Sequence, residues 1–294
     1  MSTIYVAFLP MFLQTEMLNR LLVSYVIHLC DSLVVVNNIW DYNIKRILHQ
    51  REMTMVQQHC YTRDKTAARS NGLSDNMIKT QMHPFCFYHP SKVLQALRLP
   101  AEEFPRVLTV VQFPDGKMLL GQTIYVESRA SGQRPTFFTH NYLLPGLQSV
   151  SPEAIDLLLH RTIFLTETEW DHLPELEYLP MDESLSKAES VGPLPFDKVR
   201  TQQLVAALTE SVAGMRKVYV MLPDIEWVPP LLMWIYSRLP QTAAQRLGFT
   251  TYCREPVNKE HLHLMFMEKG SLRSDDVLVK GHFVFDFDSG SFSV

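Results

Sequence analysis

The chain has 294 residues, enough for two domains or one large one. An apolar share of 46% with 20% charged side chains excludes a disordered chain and provides for a core of ordinary size. A net charge of −4 is too small to argue for nucleic acid or a membrane surface as partner.

The charge is unevenly spread. Residues 53–147 carry ten Lys and Arg against six Asp and Glu, whereas residues 148–199 carry three against eleven. The acidic stretch reads as a solvated linker face, or as a segment that docks on the more basic region before it. The four cysteines, Cys30, Cys60, Cys86 and Cys253, form no CxxC pair and no secreted-scaffold spacing. Free thiols in a reducing compartment follow, and a cytoplasmic location is expected.

Residues 1–40 are apolar but interrupted by Glu16, Arg20 and Asp31, so no stretch reaches the ~20 residues of a membrane span. Leu18, Leu21, Leu22, Tyr25 and Leu29 fall at helical spacing. Residues 1–52 are read as an extension outside the main fold, with Met53 and Met55 as credible starts.

The first strand is expected over 56–62. A turn at Asn71-Gly72 and residues 73–75 leads into a short helical stretch ending at Met82, since Pro84 biases the chain out of helix. Residues 107–113, the turn Asp115-Gly116 and residues 118–127 form a hairpin, and 136–144 another strand. Ser151-Pro152-Glu153 opens a helix through His160. Residues 166–198, rich in prolines and acids, are a candidate linker with a boundary near 195–198. Beyond it come an amphipathic helix over 199–212 with Leu204, Leu208 and Val212 on one face, and a short strand at 217–222. A helix at 230–238 and a second one ending at Gly248 follow, then strands at 249–253, 261–267 and 283–287. The fold class expected is α+β: a β-rich N-terminal domain over 53–195, with the acidic linker at its end, followed by a smaller mixed α/β domain over 196–294.

No GxxxxGK[ST] and no GxGxxG occurs, and eleven glycines leave few places for another phosphate-gripping loop. No nucleotide or redox cofactor is expected. The densest set of potential ligands is His83-Pro84-Phe85-Cys86-Phe87-Tyr88-His89-Pro90. A metal would need His83, Cys86 and His89 to converge, yet on a strand Cys86 faces away from both histidines. The competing reading is a buried apolar turn, and no metal is expected. Cys86 and His140 have the chemistry of a nucleophile and base, oriented by Asn141 or Asp75. Arg134, after Gly132-Gln133, could present its planar fork to a carboxylate or phosphate, or stand as a surface arginine at the mouth of a strand. The ligand-binding candidates are Arg134, Gln133, His140, Asn141 and His83.

Val56-Gln57-Gln58, Tyr61-Thr62-Arg63, Gly72-Leu73, His83-Pro84-Phe85-Cys86, Gly121-Gln122, and Gly132-Gln133-Arg134 with Phe137-Phe138-Thr139-His140-Asn141-Tyr142 occur in one order and spacing. Together they resemble the N-terminal domain of the GTPase-associated proteins of bacterial conflict systems. Leu239-Pro240, residues 246–252 (Arg-Leu-Gly-Phe-Thr-Thr-Tyr) and residues 283–287 (Phe-Val-Phe-Asp-Phe) resemble that family's middle domain. The resemblance covers roughly 55–290. It implies a cytoplasmic partner of a separately encoded GTPase and of other proteins of the same defence system, with no established catalytic residues.

Two functions are therefore expected. The first is a non-enzymatic adaptor or sensor acting with a GTPase. The second is a cysteine-dependent hydrolase or peptide-processing enzyme using Cys86 and His140.

Overall fold

A computed structural model describes residues 55–63, 65–126, 136–145, 151–182, 184, 194–214, 216–272 and 279–293. The expected N-terminal extension with its helix, and the ligand candidates Gln133 and Arg134, lie outside these residues.

Ten strands form one mixed sheet, in the order β10-β9-β6-β8-β7-β3-β4-β5-β1-β2. Its antiparallel half comprises β1 (Gln57–Thr62), β2 (Lys65–Arg69), β3 (Val107–Gln112), β4 (Lys117–Val126) and β5 (Thr136–Pro145). β6 (Val218–Met221), β7 (Phe249–Cys253), β8 (Leu264–Met267) and β9 (Phe283–Asp286) are mutually parallel, and β10 (Phe292–Ser293) closes the far edge. β6 and β8 read as uninterrupted apolar runs because both of their faces are covered. The α+β class expected from the sequence is the class observed. The two expected domains share this sheet, since β3 pairs with β7 through Thr109–Thr250 and Val110–Phe249.

The helices begin where the sequence supplies side-chain acceptors for their first amides. Ser74 caps α1 (Asp75–Met77), which continues as a π turn over Ile78–Met82 and a 3-10 turn over His83–Phe85. Ser91 caps α2 (Lys92–Leu97), and Ser151 caps α3 (Pro152–His160) with Pro152 in its first turn. Asp197 accepts from Arg200 N at 2.9 Å to start α4 (Lys198–Ala213). α5 (Val228–Tyr236) and α6 (Gln241–Ala244) complete the set.

α3 to α6 pack on one face of the sheet. There Leu204, Leu208, Leu231, Leu232 and Ile235 meet Val218, Val220, Leu264 and Phe285, and each fully buried side chain contributes about 1.5–3 kcal/mol. The opposite face is covered by the segment from Leu73 to Phe87, whose Ile78, Met82 and Phe85 pack on Val111, Leu119, Leu143, Met265 and Met267. Gly248 sits where the chain around residue 261 crosses its backbone, and a methyl group built there would overlap the His261 carbonyl oxygen. His263 N and Leu264 N both donate to Gly248 O, at 2.8 and 3.1 Å, which fastens β8 to the entry of β7.

Part of the acidic stretch expected as a linker is held on the sheet. Residues 161–182 are bound to the sheet, where Val56 bridges to Leu176 and Arg69 to His172, and Thr162 bridges to Met181 within the segment itself. Asp182 N donates to Arg161 O at 2.7 Å and Ile163 N to Pro180 O at 3.0 Å, so the segment is a loop closed at its neck. We call it the strap.

Candidate functional site

The sequence motifs of the N-terminal half converge where β1 runs between β5 and β2. Their register decides what each residue can do. His59 lies opposite Asn141 and Cys60 opposite His140. Neighbours along a strand point to opposite faces, so His140 and Asn141, adjacent in sequence, serve two separate environments.

On one face a single row crosses six strands: Thr250, Thr109, Gly121, Asn141, His59 and Arg69 are register partners in turn. Asn141 lies across Gly121, where a methyl group would overlap its Oδ1. Its Nδ2 donates to His59 Nδ1 at 3.2 Å and to Cys86 Sγ at 3.2 Å. An amide nitrogen only donates, so His59 carries its proton on Nε2 and gives it to Thr66 Oγ1 at 3.1 Å. The Thr66 hydroxyl is then free to donate to His83 Nε2, also at 3.1 Å. A directed chain of hydrogen bonds thus runs from the sheet interior to the half-buried His83. The Cys86 thiol donates to Met82 O at 3.3 Å.

On the other face, His140 Nδ1 accepts from Leu165 N at 3.0 Å, which leaves Nε2 to donate to Gln58 Oε1 at 3.2 Å. Gln58 Nε2 donates to Pro174 O at 2.8 Å, and Ser70 Oγ donates to the same carbonyl at 3.1 Å. The Tyr142 hydroxyl donates to Ile163 O at 2.6 Å. Gln58, Ser70, His140 and Tyr142 therefore clasp the strap at three backbone points, and each of the four is buried.

Electrostatics agree with this division. Burial lowers His59 and His140 to about 3, so both are neutral rings suited to hydrogen bonding. Burial pushes the Cys86 thiol up to about 12, and the Asn141 amide offsets this only in part. A nucleophilic cysteine needs the opposite shift. The structure does not bring Cys86 and His140 together: Asn141 faces the thiol, while His140 turns to the strap. Asp75 pairs with Arg69, whose hydrogen bond holds its carboxyl below the usual range, and it orients neither residue. His83, Cys86 and His89 diverge as well. His83 turns to Thr66, and His89 Nδ1 stands 3.9 Å from the Cys253 sulfur. Among the described residues no group of three or more His, Cys, Asp or Glu side chains is placed to hold a metal ion.

Gln58, His59, Thr66 and Ser70 are central to this architecture, and the sequence reading assigned none of them a role. β2, which supplies Thr66 and delivers Ser70, follows β1 after only two residues and has the unremarkable sequence Lys-Thr-Ala-Ala-Arg. Its detection would have required recognising Arg63, with φ of 38°, as the left-handed residue of a tight hairpin.

The fold and the closed polar rows define an α+β protein whose distinctive residues organise the sheet and what lies upon it. Residues 55–179 match the model of GTPase-associated protein 1, N-terminal domain type 2, and residues 187–289 match GTPase-associated protein 1, middle domain. The two spans follow one another over more than three quarters of the chain, which places it in the GTPase-associated protein 1 family. No curated protein and no solved structure matches it.

Proposed function

We propose that this chain is a non-enzymatic adaptor or sensor that acts with a separately encoded GTPase in the bacterial cytoplasm, within a conflict or defence system. The observation that carries the non-enzymatic reading is the closed state of the Cys86–Asn141–His59 set. Its thiol, amide and imidazole satisfy one another, and the thiol is held far from the thiolate form. The two GTPase-associated domains support the choice of partner. The sequence adds that neither the P-loop nor the dinucleotide fingerprint is present.

In this reading the GTPase supplies the nucleotide chemistry and the present chain reads its state. The test is a calorimetric titration of the full chain with a GTPase of the same genome, loaded with GDP or with a non-hydrolysable GTP analogue. Binding that differs between the two forms is expected. No binding in either form, or GTP turnover by the isolated chain, contradicts the proposal.

A further inference from the structure

The clasp of Gln58, Ser70, His140 and Tyr142 directs attention to what it holds. Among the described residues, four of the eight large apolar side chains that stand exposed belong to the strap: Ile163, Leu165, Trp170 and Tyr178. Trp170 is 74% exposed, the most of the eight. An isolated exposed side chain is ordinary, but this concentration on one tethered loop is characteristic of an interaction surface. Trp and Tyr are also the side chains that most often carry binding energy at protein interfaces.

The strap's charge selects the partner. Between residues 163 and 180 there are five carboxylates and no Lys or Arg. Arg69, whose backbone amide donates to Asp171 O, turns its guanidinium to Asp75 and away from the strap's carboxylates.

We propose that the strap forms the docking surface for a basic face of the GTPase, whose apolar side chains cover Trp170 while its cations meet the strap's carboxylates. The inference rests on the adaptor reading above and names the surface it uses. Charge complementarity of this kind chiefly sets the rate and specificity of encounter, while Trp170 holds the complex.

The test titrates the GTPase with the full wild-type chain, Trp170→Ala, and Glu169→Gln with Glu177→Gln, each first shown by circular dichroism to fold. The proposal expects Trp170→Ala to weaken binding by about tenfold or more. It also expects wild-type affinity to fall as salt rises from about 50 to about 300 mM, and the double Gln variant to lose much of that dependence. If all variants bind like wild type, the strap is not the docking surface and the adaptor reading stands. If the wild-type chain binds neither nucleotide form of the GTPase, both fall together.

Discussion

The two faces of β5 carry chemically similar side chains to different ends. Asn141, on one face, closes a polar row with His59 and Cys86 inside the molecule. His140, one residue earlier, faces the strap and helps to hold it with Gln58. A histidine, an asparagine and a cysteine in one motif suggest catalysis when read along the chain, but the two-residue period of the strand separates them into a core lock and a surface clasp. A motif dense in reactive residue types can therefore be architectural, its function lying in the surface it supports.

Substitutions on the two faces should consequently fail in different ways. The largest effect is expected on the core side. Gly121→Ala forces a methyl group into the Asn141 amide and should cost about 3 kcal/mol in urea denaturation. Adding Asn141→Ala should recover part of that loss, a coupling visible in a double-mutant cycle. Asn141→Ala alone leaves the His59 Nδ1 acceptor without its donor and should cost about 2 kcal/mol.

Acid should act on both faces. His59 and His140 take up protons near pH 6.5 when unfolded and near 3 when folded, so the unfolded chain binds protons first. Stability is then complete above about pH 6.5 and declines as pH falls toward 3, each histidine adding a slope that approaches about 1.4 kcal/mol per pH unit. His140→Gln should make the decline shallower by one histidine's share, measured as denaturation midpoints between pH 4 and 7. An unchanged slope would mean that His140 is not held neutral beneath the strap.

The smallest effect separates the faces most cleanly. Ser70→Ala removes one of the clasp's donors to Pro174 O and should cost about 1 kcal/mol. Hydrogen exchange should accelerate at the amides of Leu165, Leu173 and Leu176 while those near Cys86 keep their protection. Equal acceleration on both faces would dissolve the distinction.

Much of the fold was legible in the sequence. The Asp115-Gly116 hairpin, the Ser151-Pro152 cap and the apolar stripe of α4 are local signals, and each element forms where its signal places it. The faces of the candidate site were harder to read, because they depend on the register between β1 and β5, strands separated by more than seventy residues. The alternation rule says that His140 and Asn141 diverge, but only the pairing with Cys60 and His59 tells which one meets Cys86. The strap was missed for another reason. Its prolines and acids resemble a linker, and what binds it to the sheet is mostly backbone: the carbonyls of Ile163 and Pro174, the amide of Leu165 and the bridges at Leu176 and His172. Composition carries no trace of those bonds.

The most direct test of the division between buried lock and exposed surface is a side-by-side titration of the GTPase with the Cys86→Ala and Trp170→Ala chains. Cys86→Ala, which removes a buried thiol held by Met82 O and Asn141, is predicted to bind within about twofold of wild type, whereas Trp170→Ala should lose about tenfold or more. Full affinity in Trp170→Ala with lost affinity in a folded Cys86→Ala would contradict it.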